Sequence, residues 1–148
     1  MPRKLAIRQY QDSIIMSWLG KWEGLGYLQK TGDLIRGSLI ACSSVRAVTI
    51  EPGLAVYDST KAAIGLLVKG FASEVGRFGV RVNAIAPSIT ETALTGPITQ
   101  RPDIYNLYAG HTVFNRWSSA DEVATAVAYL ASDAASYVSG STLFVDGA

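Results

Sequence analysis

The chain has 148 residues, of which 49% are hydrophobic and 17% are charged. This length and composition are typical of a single globular domain, so we expect residues 1–148 to share one core. The net charge of +1 is too small to favour nucleic acid or an anionic membrane surface. No apolar run is long enough to span a bilayer. The single cysteine excludes an internal disulfide and fits the cytoplasm, the expected location.

The clearest part of the chain begins with a strand pattern followed by a helix pattern. Residues 38–42 are a short apolar run and form a predicted buried strand, with Cys42 as a small buried residue at its end. Residues 55–77 have the apolar spacing of a helix. The face that we expect this helix to bury carries Tyr57, Ile64, Leu67, Val68, Phe71 and Val75.

The same alternation continues after a long interruption. Residues 80–86 form the next predicted strand, which ends at Pro87. Residues 88–117 are rich in polar residues and broken by prolines, so we expect an irregular segment that acts as a substrate lid. A serine followed three positions later by glutamate opens a predicted helix over 120–132, and 142–145 form the last strand. Strands that alternate with helices in this way predict a parallel sheet.

Three residues around the first helix suggest proton chemistry. Tyr57 and Lys61 stand four positions apart, so their side chains share one helix face. A phenol has an ordinary pKa of about 10, and a neighbouring ammonium lowers it toward the range of a general base. Ser44 follows the first strand, at the sheet edge where ligands bind, and is placed to contact the same substrate oxygen. Taken alone, the Tyr57–Lys61 spacing is more typical of a surface pair without a catalytic role.

The sequence around these residues matches a known family in order and spacing. The matching blocks are residues 37–44 with 57–63, then 79–87, then 121–133 with 145–147. They resemble the short-chain dehydrogenase/reductase family over residues 37–148, whereas residues 1–36 match it poorly. The resemblance implies an α/β fold with a partial Rossmann-like, doubly wound parallel sheet. It also implies an enzyme that uses NADP or NAD to transfer hydride reversibly to or from a small alcohol or ketone.

The same resemblance assigns roles to individual residues. Tyr57 becomes the proton donor or acceptor, and Lys61 lowers its pKa and binds the nicotinamide ribose. Ser44 becomes the residue that orients the substrate carbonyl or hydroxyl.

The segment after the second predicted strand is the part that grips the nicotinamide carboxamide in the family. Pro87, Thr90 and Thr92 therefore inherit cofactor binding in this chain. Ser88 stands where the family usually has glycine, and its Cβ is expected to crowd the approach of the backbone to the nicotinamide.

Other family features are missing from the sequence. Gly20, Gly24 and Gly26 have the spacing of a dinucleotide-binding turn, but no β-branched strand precedes them. No asparagine precedes Asn83, and Ser17 aligns with the family's catalytic asparagine. The fold is thus expected to lack the first strands and the glycine-rich turn. This loss favours an alternative function, a catalytically incompetent truncated relative that acts as a binding or regulatory subunit or is a gene-model fragment.

A few further side chains call for interpretation. His111 is the only histidine and is expected to be an ordinary loop residue, so we expect no metal site. The aromatic residues of the long segment either line a substrate pocket or pack the lid on the core; they are Tyr105, Tyr108, Phe114 and Trp117. Arg46 and Arg81 are expected to be solvated. The apolar strand edge and helix faces left without the missing half predict a homo-oligomer.

Overall fold

The computed structural model of the chain describes residues 37–148. Its strands are β1 (Gly37–Cys42), β2 (Val80–Pro87), β3 (Thr90–Glu91), β4 (Ser118–Ser119) and β5 (Thr142–Val145). Its helices are α1 (Ala55–Val75), α2 (Gly96–Thr99), α3 (Pro102–Ala109) and α4 (Ala120–Ala131). Short 3₁₀ turns follow β1, α1 and α4. The sequence features assigned to Ser17 and to Gly20, Gly24 and Gly26 lie outside the described residues.

The main sheet is parallel, as the alternation of strands and helices predicts. β2 lies in the middle and pairs with β1 on one side and with β5 on the other. Gly37 of β1 lies opposite Val80, and Thr142 of β5 lies opposite Ala84. β3 and β4 form a separate parallel pair.

Helix α1 covers one face of this sheet. Val68 and Val75 of the helix pack on Val82 and Ala84 of β2, which are fully buried. The predicted helix face is wrong for Leu67, which is 38% exposed because it lies at the flank of the buried stripe. Tyr57 is also exposed, at 44%, because it stands in the first helical turn, beyond the core that the rest of α1 covers.

Helix α4 covers the opposite face, which makes the sheet doubly wound. Leu130 of α4 is buried with Ile85 of β2 and with Ala135 of the following turn. Asn83 of β2 is completely buried, yet both ends of its amide are bonded. Its Nδ2 donates to the carbonyl of Val138 at 2.8 Å, and its Oδ1 accepts from the amide of Ser141 at 3.1 Å. These two hydrogen bonds therefore compensate for the cost of removing the Asn83 amide from water.

Both ends of α4 are held by side chains. The predicted capping box is confirmed: Ser119 Oγ accepts from the amide of Glu122, and the Ser119 amide donates to Glu122 Oε2. The prediction that Arg81 is solvated is wrong. Its guanidinium donates to the carbonyls of Leu130 and Ser132, at 2.7 and 3.0 Å. A cation is stabilised there because the last carbonyls of a helix lack partners within the helix.

The segment of residues 88–117 is more regular than predicted. It contains α2 and α3, and the β3–β4 pair closes it. Its prolines occupy the first turns of these helices, where the missing amide hydrogen costs nothing. Trp117, only 2% exposed, stacks on Tyr105 at 5.1 Å between ring centroids and donates from Nε1 to the Tyr105 carbonyl. The segment thus has a small aromatic core of its own.

Cys42 is exposed, so its prediction as a buried residue is wrong. Its side chain is exposed because Cys42 is the last residue of β1 and stands at the end of the sheet.

Between residues 37 and 148, none of the helices combines the length and apolar character needed to cross a membrane.

Glu122 makes the stability of the fold depend on pH. Hydrogen bonds from Arg116, and then from the amide of Ser119, lower the pKa of this carboxyl from its usual 4.5 to about 2. The stabilisation is therefore complete above pH 4.5 and is lost as the pH falls toward 2. We expect Glu122→Gln to lower the stability at neutral pH and to flatten its acid dependence, measured by urea unfolding across this range. Asp121→Asn, next to it, is the control. An unchanged acid slope in Glu122→Gln would contradict this account.

Candidate active site

The carboxyl ends of the parallel strands form one edge of the sheet. Cys42 lies opposite Ile85, and Pro87 lies opposite Val145. The amide of Ser43 continues the ladder by donating to the carbonyl of Ile85 at 2.7 Å. Loops that leave this edge are where ligands bind in parallel α/β sheets.

Ser44 lies in the loop that leaves β1 and is nearly buried. Its backbone is extended, and its Oγ accepts from the amide of Arg46 at 3.2 Å, so it caps the 3₁₀ turn Val45–Ala47. A hydroxyl has one hydrogen to donate in addition to its lone pairs. The cap therefore orients Ser44 and leaves its hydroxyl hydrogen available to another acceptor.

The predicted Tyr57–Lys61 pair is brought together at this edge. The Nζ of Lys61 lies 5.5 Å from the centroid of the Tyr57 ring. The same Nζ donates to the carbonyl of Cys42 at 3.1 Å, which ties the lysine to the end of β1. Ser43, which sequence reasoning missed, donates from Oγ to the carbonyl of Lys61 at 2.8 Å. Helix α1 is thus attached through Lys61 to Cys42 and Ser43, the two residues that precede Ser44.

The residues predicted to grip a cofactor follow β2. Pro87 is the last residue of β2. The φ of Ser88 is not in the left-handed region, and its Oγ is buried with no hydrogen-bond partner among the described residues. Thr90 uses its hydroxyl locally, at 3.1 Å from the Ser88 carbonyl and 2.8 Å from the Oγ of Ser118. Thr92 is exposed, and its Oγ1 accepts from the amide of Thr95 at 3.3 Å.

Glu51 and Asp58 are polar residues of the site that sequence reasoning missed. Asp58 is buried beside Tyr57, and its Oδ2 accepts from the amide of Glu51 at 3.2 Å. The Glu51 carboxylate pairs with Arg46 and accepts from Tyr108. The prediction that Arg46 is solvated is therefore wrong, since this side chain is only 20% exposed. The signal available in the sequence was Glu51 as the one acidic residue between Ser44 and Tyr57.

The aromatic residues of the segment 88–117 lie in two different surroundings. Tyr105, Tyr108 and Trp117 pack on one another. Phe114 instead lines a cavity of about 230 Å³ beside the ends of β2 and β5, with Ser88 on its wall. His111 lies edge-on to the Tyr108 ring at 5.9 Å. The Tyr108 pKa is raised above its usual value by the hydrogen bond to Glu51 and by burial.

Metal-binding side chains do not cluster in this part of the protein. Within residues 37–148, no group of three or more histidine, cysteine, aspartate or glutamate side chains is arranged to hold a metal ion. The polar groups gathered at the sheet edge are instead a phenol, an ammonium and hydroxyls. These groups donate and accept hydrogen bonds and can move protons.

Comparisons with known proteins find named dehydrogenases and reductases that are similar to this chain. A family model described as enoyl-(acyl carrier protein) reductase matches residues 17–147. Gluconate 5-dehydrogenase of Gluconobacter oxydans is 34% identical over 112 residues, covering 76% of this chain and 44% of the relative. A γ-butyrolactone 1′-reductase of Streptomyces virginiae is 41% identical over 112 residues, covering 75% of this chain and 44% of the relative. The chain thus spans about half the length of the curated relatives it matches.

Solved structures give the same picture. Gluconate 5-dehydrogenase from Burkholderia cenocepacia, in complex with NADP and tartrate, superposes with a TM-score of 0.71 at 35% identity. That match covers 76% of this chain and 44% of the other. A 4-hydroxyisoleucine dehydrogenase complexed with NADH gives a TM-score of 0.81 at 25% identity, covering 90% of this chain and 54% of the other.

The hydrogen bond from Ser43 to Lys61 can be tested through stability. Removing a buried hydroxyl that bonds a carbonyl costs about 1 kcal/mol. We therefore expect Ser43→Ala to lower the free energy of unfolding by about 1 kcal/mol in urea titrations. Ser59→Ala is the matched control, because that exposed serine also donates to a helix carbonyl, at 2.8 Å. Equal effects of the two substitutions would show that the hydrogen bond from Ser43 to Lys61 adds nothing to the free energy of unfolding.

Proposed function

Because the chain belongs to the short-chain dehydrogenase/reductase family, we propose that it functions as an NAD(P)(H)-dependent oxidoreductase. The reaction is reversible hydride transfer between nicotinamide and a small alcohol or ketone, with Tyr57 as proton donor or acceptor. The observation that carries the proposal is the position of Lys61. Its ammonium joins the Tyr57 ring to the end of β1, one residue before the Ser43–Ser44 pair.

Each residue of the trio has a separate task in this proposal. In ketone reduction, Ser44 donates its hydroxyl hydrogen to the substrate oxygen and holds the carbonyl in place. Tyr57 donates a hydrogen bond to the same oxygen and transfers its proton there as the carbonyl carbon is reduced. Lys61 stabilises the phenolate that remains, because its positive charge lies 5.5 Å from the ring centroid. Alcohol oxidation runs through the same contacts in reverse.

The described residues fit the nicotinamide end of a dinucleotide. Lys61 has three N–H donors, of which the Cys42 carbonyl takes one, so donors remain for ribose hydroxyls. We propose that Lys61 and Tyr57 hold this ribose, and that Pro87, Thr90 and Thr92 flank the ring. The exposed Thr92 suits contact with the carboxamide, whereas the Thr90 hydroxyl, bonded within the chain, supports the backbone. When bound, NADP or NAD supplies or accepts the hydride.

The cellular location and the kinds of partner follow from the composition of the chain. We propose a cytoplasmic location, because the single cysteine fits a reducing compartment. The substrates are small molecules, and the near-neutral charge favours no nucleic acid or membrane partner.

We also propose that a second copy of this chain covers the outer face of α1. Val56 and Leu66 are exposed on that face, and Leu67, at the flank of the buried stripe, is 38% exposed. Leu66 is 75% exposed on a helix whose other side is packed in the core. Contiguous apolar side chains of this kind mark association surfaces.

The catalytic assignment is tested by Tyr57→Phe and Lys61→Ala. We expect Tyr57→Phe to reduce ketone turnover by a hundredfold or more, followed by nicotinamide absorbance. Lys61→Ala should also weaken cofactor binding in calorimetry. Tyr137→Phe is the control, because that tyrosine is fully exposed. Full activity of Tyr57→Phe would refute its role. Absence of both turnover and cofactor binding in the unsubstituted chain would favour the incompetent binding subunit.

The oligomer is tested by Leu66→Glu. A charge at the centre of an apolar interface is strongly unfavourable when buried, so we expect a smaller species in size-exclusion chromatography with light scattering. Leu94→Glu is the control, since Leu94 is equally exposed but lies outside α1. A monomeric state of the unsubstituted chain in the same measurement would contradict the proposed association.

A further inference from the structure

Glu51 stands where three functional segments meet. It lies in the loop between Ser44 and Tyr57, and its backbone and side chain bond to three different elements. Its Oε2 pairs with Arg46, its amide donates to Asp58, and its Oε1 accepts from Tyr108.

The contact with Arg46 fixes the turn that Ser44 caps. The Arg46 guanidinium binds the Glu51 carboxylate and the carbonyl of Ile50, the latter at 3.1 Å. The Arg46 amide donates to Ser44 Oγ, so a single residue connects the carboxylate to the serine. Arg46 and Glu51 are only 20% and 30% exposed, so this ion pair is better shielded than one on the open surface.

The contact with Asp58 fixes the start of α1. The Glu51 amide donates to Asp58 Oδ2, and the Glu51 carbonyl accepts from the amide of Leu54. The amide of Asp58 in turn donates to the carbonyl of Leu54. These bonds set the backbone from which Tyr57 projects.

The contact with Tyr108 joins this loop to the lid segment. The Tyr108 hydroxyl donates to Glu51 Oε1 at 2.6 Å, across 57 positions of sequence. The Tyr108 ring lies edge-on to Trp117 at 6.3 Å, so the hydroxyl is carried by the aromatic core of the lid. The raised Tyr108 pKa has the same cause, since Glu51 favours the protonated phenol that donates this bond.

We propose that Glu51 is a positioning residue for Ser44 and Tyr57, and that its bond to Tyr108 is the latch that holds α3 closed over their loop. The positioning role rests on the proposed function, because it requires that Ser44 and Tyr57 contact substrate. The hydrogen bond that forms the latch does not depend on that function. Opening of the latch would let small molecules enter or leave. The hydrogen bond between Tyr108 and Glu51 resists that opening.

The latch is tested by hydrogen–deuterium exchange of the full chain. Tyr108→Phe removes only the hydroxyl and keeps the ring on Trp117. We expect the amides of residues 103–109 to exchange about tenfold faster, with those of β2 unchanged. Tyr105→Phe is the matched control on the same helix, because its hydroxyl makes only a 3.4 Å contact with Glu91. Unchanged exchange in Tyr108→Phe, or equal acceleration in both variants, would overturn the latch.

Kinetics test the positioning role of Glu51. Glu51→Gln keeps an oxygen that can accept from Tyr108 but loses the charge that holds Arg46. We expect it to leave exchange in α3 within twofold and to lower kcat about tenfold, whereas Tyr108→Phe raises KM with kcat nearly unchanged. A normal kcat in Glu51→Gln would overturn the positioning role. Absence of turnover in every form would refute the proposed function, and exchange would still decide the latch.

Discussion

The site depends on the parallel pairing of β2 with both of its neighbours. This strand is buried almost throughout, and it aligns the carboxyl ends of β1 and β5 with its own. An antiparallel neighbour would place the corresponding loop at the opposite edge. The buried amide of Asn83 reinforces the arrangement, because it bonds the chain leading into β5 at two points. The loops of Ser44, Ser88 and Asp146 therefore leave the sheet together.

The features that the sequence predicts correctly are governed by short-range spacing. Hydrophobic periodicity predicted β1, β2, β5, α1 and α4 within a few residues of their observed bounds. The Ser119–Glu122 capping box needs only three positions of helix geometry. Tyr57 and Lys61 lie together for the same reason, because a helix places residues four apart on one face. Local geometry is thus sufficient to place Tyr57 and Lys61 together.

The features that the sequence could not predict depend on contacts between distant segments. Arg81 caps α4 from 49 positions away, and Tyr108 reaches Glu51 across 57. Nothing in the neighbourhood of either residue signals its partner. Cys42 has an apolar context typical of burial, but it ends its strand and is exposed. The prolines of the lid are equally ambiguous, because proline both breaks a helix and begins one.

Contacts within residues 37–148, the part of the chain that the structure describes, orient the proposed catalytic trio. Lys61 is held by the carboxyl end of β1, Ser44 by the turn that it caps, and the start of α1 by the backbone of Glu51. These contacts are hydrogen bonds of 3.1 to 3.2 Å, which maintain a geometry without a bound ligand. The pyrophosphate of a dinucleotide needs a separate glycine-rich turn. Proton handling and dinucleotide binding are therefore separable demands on the fold, and the trio is proposed to serve the first.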